Sequence, residues 1–172
     1  PLITPMADAC RHPADPHRLP SMLRFVLRGY LGQPYPTAPV RYLYLFGRKQ
    51  DVAFVHAVED SLVHRHHVRF WAAPAGSDWS FGPGPNSSAT LWVGASSLDV
   101  GAALIRHNFQ LTHMIDPDTD VERELIVQHL KNVGLAGSIK RVKLSSPYRL
   151  ANRVWRGYLH SDGEMAVVRL KG

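Results

Sequence analysis

Apolar side chains recur at helical spacing shortly after the start of the chain. The spacing i, i+3, i+4, i+7, i+8 and i+11 predicts an amphipathic helix over about residues 19–31, with the stripe Leu19, Met22, Leu23, Val26, Leu27 and Tyr30. Arg24 and Arg28 lie on its other face. Because the stripe has an ordinary width, we expect it to pack on the domain's own sheet, with a membrane surface as the alternative.

A second helical pattern predicts a helix over about residues 118–133. Pro117 suits its first turn, and Thr119 stands at capping-box spacing from Glu122. Gly134 marks its end. The side chains that we expect to be buried share one face of this helix and are Val121, Leu125, Ile126, Leu130 and Val133.

Most other apolar positions follow strand patterns. Residues 41–46 are apolar on both faces, as in a covered strand, and residues 64–73 alternate between two faces. Residues 154–160 and 165–170 are predicted to form a hairpin closed by Ser161-Asp162-Gly163-Glu164, because Asp-Gly is a strong turn signal. Further strands are predicted at 52–56, 91–97, 98–105, 110–115 and 139–144. These patterns indicate an α+β domain with a largely antiparallel mixed sheet, two main helices and a C-terminal hairpin.

The composition is typical of one globular domain over residues 1–172. Hydrophobic residues make up 45% of the chain and charged residues 20%, unlike a disordered or fibrous protein. Residues 1–18 are predicted to be loop-like, and residues 74–89, rich in Gly, Pro and Ser, to form a mobile surface loop. The single cysteine, Cys10, excludes an internal disulfide and a cysteine-based zinc cage.

The sequence predicts neither a membrane span nor a signal peptide. No apolar run approaches the ~20 residues that a spanning helix needs. The chain starts at Pro1 without an initiator Met, which fits a processed or cut piece of a longer protein. We therefore expect a cytoplasmic or membrane-peripheral location.

Basic residues concentrate at both ends of the chain. Residues 1–50 carry a net charge of +5 and residues 139–172 one of +6, around an acidic middle. A basic surface can meet nucleic acid, an anionic membrane or a phosphorylated ligand, or can simply be a solvated face. Because no aromatic-interleaved basic cluster is present, we do not expect nucleic acid as a partner.

A metal site is one interpretation of the histidines. His64 and His66 lie two apart on one strand face, so both imidazoles could reach one ion. No third ligand stands at a recognisable spacing, and we therefore expect no metal and no other cofactor, with a divalent ion as the alternative.

The acidic run before the second helix resembles the start of a calcium loop. Asp116, Asp118 and Asp120 have the right spacing, but Val121 and Val127 stand where such a loop needs Gly and Glu. Carboxylates that cap a helix N-terminus explain the run better.

An anion site is the second interpretation. Arg65, His67 and Arg69 share a strand face, where arginine can hold phosphate or carboxylate and histidine can exchange a proton. Pairing of these side chains with acids on a neighbouring strand is an equally weighted alternative. His66 and His113 have apolar neighbours on their strand faces, which favours hydrogen-bonded core histidines. The sequence contains no G-x-S-x-G elbow, P-loop or H-E-x-x-H motif.

Four separate motifs together resemble the LssY carboxy-terminal domain family. The resemblance covers residues 35–133 well and continues weakly to Asp162-Gly163. Its motifs are Leu43-Tyr44-Leu45-Phe46-Gly47-Arg48-x-Gln50-Asp51, Arg65-His66-His67-Val68-Arg69-Phe70-Trp71, Leu91-Trp92-Val93-Gly94-Ala95 with Asp99 and Gly101, and Thr112-His113-x-Ile115-Asp116-Pro117-Asp118-x-Asp120-x-Glu122-Arg123.

The sequence departs from the family pattern at a few positions. Met114 stands where the family usually has a second His, so this position supplies neither a ligand nor a proton carrier. Asn108-Phe109-Gln110 replaces the family's Thr-Gly-Gln, and the amino-terminal part is shorter than usual. His64 lies outside the motif, which weakens the paired-histidine metal site.

The resemblance implies a domain of unknown biochemical role. Such domains often occur fused to membrane proteins of the DedA or lipid-phosphatase type, which suggests a phosphorylated small molecule or lipid headgroup, or a membrane-protein partner. The oligomeric state is left open.

We therefore hypothesise a site that binds, and could hydrolyse, a phosphorylated ligand. His67, His113, Asp99 and Asp116 are the candidate catalytic residues, with imidazole as acid or base and carboxylate as its orienter. The candidate ligand-binding residues are Arg65, His66, Arg69 and Arg48. The rival hypothesis is a non-catalytic interaction module in which the same residues form a structural polar network.

Overall fold

A computed structural model describes residues 6, 12–74, 76–77, 89–105, 110–152 and 157–171. Two predicted loops lie largely outside the described residues. In the loop predicted at 1–18, residues 1–5 and 7–11 lie outside them, and in the mobile loop predicted at 74–89, residues 75 and 78–88 do. The architecture is α+β with antiparallel strand ladders, as the sequence predicts.

Two helices and eleven strands follow one another in the described residues. The helices are α1 (Leu19–Tyr30) and α2 (Thr119–Asn132), close to their predicted bounds. The strands are β1 (His12–Pro13), β2 (Tyr44–Leu45), β3 (Arg48–Lys49), β4 (Val52–Ala57), β5 (His64–Ala72), β6 (Trp92–Ile105), β7 (Gln110–Ile115), β8 (Ala136–Lys143), β9 (Tyr148–Asn152), β10 (Gly157–Ser161) and β11 (Glu164–Leu170). Neither helix has the length and apolar character that would let it cross a bilayer, within the part of the chain described.

The main sheet has five strands in the order β1-β4-β5-β6-β7. The two strands predicted at 91–97 and 98–105 are wrong as separate elements, because β6 runs through both of them. A register shift between Asp99 and Gly101 lets this long strand continue its pairing with β7. Such a bulge bends a strand without ending it, which a local sequence pattern does not distinguish from a turn.

One face of this sheet packs against α2 and forms the apolar core. Phe54 and Val68 are cross-strand neighbours on β4 and β5, and both are at most 1% exposed. Leu130 of α2 and Met6 complete the buried cluster. Because side chains alternate along a strand, the other face of β5 carries a different set, which includes the charged residues.

Helix α2 differs from the prediction in its N-cap residue and in the face that it buries. Asp118, rather than Thr119, is the N-cap, and its side chain accepts a hydrogen bond from the Asp120 backbone N–H. The capping box is therefore not formed, and Glu122 is 1% exposed beneath the helix. The predicted buried stripe is also rotated, since Val121 is exposed and Val127 is buried.

The second face of the sheet is covered by residues 35–41 and by α1. Tyr35, Ala38 and Val40 are buried on this side, and the guanidinium carbon of Arg65 lies 5.8 Å from the centre of the Phe25 ring. The expectation that the apolar stripe of α1 packs on the sheet is wrong. Phe25 faces the body instead, and none of the residues of α1 is buried.

The covered strand predicted at 41–46 is also wrong. Only Tyr44–Leu45 is a strand, paired with Arg48–Lys49 in a small separate hairpin. Phe46 and Gly47 form its turn with positive φ angles of 54° and 70°. Tyr44 is exposed, and in the described part of the chain this two-stranded hairpin pairs with no further strand.

The C-terminal strands form a hairpin, but with different partners from those predicted. Strand β10 pairs with β9, and β11 pairs with β8, so β10 and β11 are not hydrogen-bonded partners. The Asp-Gly sequence lies at the bend between the two ladders, where Gly163 has a φ angle of 77°. A Cβ at Gly163 would collide with the backbone oxygen of Ser145. The Asp-Gly signal therefore marks a place where two segments of the backbone pass close to each other.

Candidate functional site

Alternation along β5 places three polar side chains on the sheet face that is turned away from α2. Arg65, His67 and Arg69 are all buried there, as the strand pattern predicts. Strand pairing puts Asp99 of β6 directly opposite Arg65. His113 comes from β7 on the far side of β6, within 3.2 Å of the Asp99 carboxylate. We call these five residues the Asp99 cluster.

The carboxylate of Asp99 is the centre of the cluster. Its Oδ1 lies 2.8 Å from Nε2 of His67, and its Oδ2 lies 3.4 Å from Nη2 of Arg65 and 3.2 Å from Nδ1 of His113. The His113 nitrogen is within ion-pair distance but is not aligned for a hydrogen bond. Both Asp99 and Arg65 are only 1% exposed, so these contacts are made in a low-dielectric environment.

The hydrogen bonds of His67 define its protonation state. Nη1 of Arg69 lies 2.9 Å from Nδ1 of His67. Since arginine can only donate, Nδ1 accepts, and Nε2 carries the proton that is donated to Asp99. Burial lowers the pKa of His67 despite the opposing influence of Asp99. His67 is therefore a neutral imidazole that connects a guanidinium to a carboxylate.

The cluster contains more positive than negative charge. Burial lowers the pKa of Arg69 to about 10, which leaves this guanidinium charged at neutral pH. Burial alone would raise the pKa of Asp99, but the hydrogen bond from His67 and the neighbouring positive groups lower it overall. Two arginines thus face one carboxylate. In addition, the buried Nε of Arg65 has no hydrogen-bond partner among the described residues.

Two backbone carbonyls each accept a hydrogen bond from one guanidinium nitrogen of the two arginines. Nη1 of Arg65 donates to the carbonyl oxygen of Ala38 over 3.4 Å, and Nε of Arg69 donates to that of Arg41 over 3.0 Å. The hydroxyl of Ser97 lies 3.4 Å from both ring nitrogens of His67. Residues 38–41 therefore form the wall that covers the arginines on this face.

His113 is the member of the cluster that solvent can reach. Its side chain is 38% exposed, whereas those of Arg65, His67 and Asp99 are at most 6% exposed. Its Nδ1 is nevertheless buried, so the accessible part of the ring lies away from Asp99. Burial is the largest influence on the pKa of His113 and lowers it, against the attraction of Asp99. A neutral imidazole at the surface of a positive cluster can accept a proton.

The other predicted site residues lie elsewhere. His66 points to the opposite face of β5, where its Nδ1 is 2.5 Å from Oε2 of Glu122. This contact agrees with the prediction that His66 is a hydrogen-bonded core histidine. The ring of His66 also stacks on that of His56, with 6.0 Å between the ring centres.

Arg48 and Asp116 also have partners outside the cluster. Arg48 pairs with Asp51 and donates to the carbonyl oxygen of Ala72 over 2.5 Å, which ties the β2–β3 hairpin to the end of β5. The carboxylate of Asp116 accepts a hydrogen bond from the backbone N–H of Asp118 over 2.8 Å, just before α2. Five of the eight predicted site residues are therefore brought together, and three are not.

The described residues include no group of three or more His, Cys, Asp or Glu side chains placed to hold a metal ion. His64 is exposed at the start of β5. The cluster residues are instead engaged with one another and with arginines, and the chemistry that this arrangement offers is charge stabilisation and proton exchange.

Sequence reasoning missed some of the contacts that shape the site. Glu122 was assigned to helix capping, although it is the buried partner of His66. The carbonyl groups of Ala38 and Arg41 could not be identified, because backbone acceptors leave no residue signature. Ser97 carries a usable signal, since it stands two residues before Asp99 on the same face of one strand.

Comparison with known proteins finds one family. A family model described as the LssY C-terminus matches residues 1–165 of the 172 residues. Neither the curated proteins nor the solved structures include a significant match.

Proposed function

The chain belongs to the LssY C-terminus family, and we propose, on the evidence of the Asp99 cluster alone, that the domain binds a phosphorylated ligand. The observation that carries the proposal is the charge imbalance. Arg65 and Arg69 are both buried, and Asp99 is the one carboxylate that contacts the cluster's cationic groups in the described residues. An uncompensated buried charge is costly, and an anion at the edge of the cluster would reduce that cost.

The ligand approaches through His113. Its ring is the accessible part of the cluster, and the buried arginines behind it focus a positive potential toward solvent. A phosphate dianion next to this ring would favour the protonated imidazole and so raise the pKa of His113. Binding would then be accompanied by proton uptake near neutral pH.

The same residues suggest how a hydrolytic step would divide the work. His113 would hold or donate a proton at its accessible nitrogen, as a general acid or base. Arg65 and Arg69 would stabilise negative charge that develops on the phosphoryl oxygens. His67 contacts Asp99 rather than solvent, so it acts as a positioning residue that orients the carboxylate.

The rival function is an interaction module whose polar network is structural. It is favoured by the internal contacts of Asp99, both of whose oxygens already face cationic or imidazole groups. The two functions differ in one measurable respect, because only the first predicts that a phosphate ligand stabilises the folded protein through His113.

The test is thermal unfolding of the chain in inorganic phosphate and in glycerol phosphate, at constant ionic strength. A ligand at 100 times its Kd stabilises the folded state by about 2.7 kcal/mol, which corresponds to roughly 5–10 °C for a domain of this size. His113→Asn should abolish this increase. His64→Asn is the matched control, since His64 is exposed on β5 outside the cluster.

Phosphate also stabilises proteins non-specifically through its exclusion from their surface. An equal increase in Tm for the wild-type protein and His113→Asn would therefore refute the proposal, as would no increase at all. Release of phosphate from a phosphomonoester, lost in His113→Asn, would extend the function to hydrolysis. Binding without such release would identify a phosphate-binding domain.

A further inference from the structure

Helix α1 leaves a continuous apolar face uncovered. Its large side chains are between 53% and 88% exposed, including the residue that follows the helix. The members of this exposed stripe are Leu19, Leu23, Val26, Leu27, Tyr30 and Leu31. At 100° per residue they fall on one side of the helix, so the exposure belongs to a single surface rather than to scattered positions.

The opposite side of α1 is the side that holds it to the protein. Phe25 lies under the Arg65 guanidinium, and a Cβ on Gly29 would be 3.4 Å from Cδ1 of Leu62. The exposed stripe therefore points away from the body of the domain. A rotation that buried the stripe would break these contacts, so the residues that the structure describes do not cover it.

The charge around the stripe is positive. The sequence of α1, Leu19–Tyr30, contains two arginines and no acidic residue. The Arg24 side chain is 57% exposed at the edge of the stripe, although it lies 3.6 Å from Asp15. Arg18 is exposed at the N-cap of the helix. An apolar face with a basic border is the pattern of helices that lie in the surface of an anionic membrane.

The basic border favours an anionic lipid surface over a second protein as the occupant. The stripe lies along one helix of 12 residues, about 18 Å long. On a membrane surface the affinity of such a helix grows with inserted apolar area and with the attraction between basic residues and anionic lipids.

We propose that α1 docks the domain on an anionic lipid surface. The exposed stripe enters the boundary between headgroups and acyl chains, and Arg18 and Arg24 remain at headgroup level. This proposal does not depend on the phosphate-binding site, because none of the stripe residues belongs to the Asp99 cluster.

The test is co-sedimentation of the full chain with vesicles of phosphatidylcholine containing phosphatidylglycerol, and with vesicles of phosphatidylcholine alone. The double variant Leu23→Asp, Val26→Asp should bind the anionic vesicles at least about tenfold more weakly than the wild-type protein. Arg24→Gln should weaken binding about fivefold, the effect of about 1 kcal/mol for one basic residue near an anionic surface. Its salt dependence should decrease in parallel.

The control is Leu144→Asp, Leu150→Asp, which makes the same chemical change at two exposed leucines outside α1. It should retain wild-type binding, and circular dichroism should show that both double variants are folded. Failure of the wild-type protein to bind the anionic vesicles would overturn the proposal, as would equal binding by the stripe variant. The proposal would also be overturned if light scattering showed a concentration-dependent dimer that requires the stripe while lipid binding was absent.

Discussion

Replacement of Asp99 by asparagine perturbs the centre of the cluster with almost no change in side-chain volume. Asp99 is 1% exposed, so the substitution removes a buried negative charge without creating a cavity. The amide oxygen can still accept from Nε2 of His67, 2.8 Å away. The amide nitrogen, however, would face the Arg65 guanidinium, donor against donor.

The expected cost is that of leaving a buried charge without its partner. Removal of one member of a buried ion pair typically destabilises a protein by about 3–5 kcal/mol. The preserved hydrogen bond to His67 places Asp99→Asn near the lower end, about 3 kcal/mol, or roughly 6–12 °C in Tm. Adding Arg65→Met should recover part of this loss, because the unpaired guanidinium is then gone.

Urea unfolding measures this loss, with the midpoint shifting and the m-value unchanged. Glu124→Gln is the matched control, since Glu124 pairs with arginines at the surface with its side chain 47% exposed. Its substitution should cost less than about 1 kcal/mol. If Asp99→Asn were no more destabilising than this control, the buried-charge account of the cluster would be wrong.

Three further predictions concern the bend at Gly163, the buried imidazole of His67 and the apolar core. Gly163→Ala should destabilise the protein by more than Gly134→Ala, by about 1–3 kcal/mol, because both have positive φ but only Gly163 meets a backbone oxygen; equal Tm values would contradict the collision. The folded-state pKa of His67 is lowered from its ordinary value of 6.5 by burial, so the unfolded chain binds more protons and stability falls as the pH drops below about 6.5. His67→Gln should reduce this pH dependence in urea unfolding, and the rest comes from His113, whose pKa burial also lowers. An unchanged slope would exclude His67 as a source. Phe54→Ala should lose about 3–5 kcal/mol, because Phe54 is fully buried against α2; a loss below about 1 kcal/mol would show that this core is loosely packed.

The local patterns predicted much of the fold. The main helices lie within one or two residues of their predicted bounds, and β5 and β7 lie where alternation and apolar runs placed them. These features depend on spacing along a single element, which the sequence displays directly. The errors arose where a local signal has two structural meanings. An Asp-Gly pair occurs in the turn that closes a hairpin, and equally at a bend between two strand ladders, as at Gly163.

The direction in which an amphipathic helix points was not a local property. The stripe of α1 predicted burial, but Phe25 holds the helix to the domain and the stripe faces outward. The Glu122 side chain was equally ambiguous, because a carboxylate in the first helical turn can cap the helix or turn inward to His66. Only the packing partner decides between such alternatives.

For the candidate site, the sequence by itself determined that Arg65, His67 and Arg69 share one face, because a strand repeats every two residues. It could not determine that Asp99 and His113 join them, since that depends on the pairing of β5 with β6 and of β6 with β7. Tertiary structure also decided which of these groups are buried from solvent. Burial depends on the segments laid over the sheet. It lowers the pKa of His67, so that this imidazole is neutral, and it removes two arginines and one carboxylate from solvent.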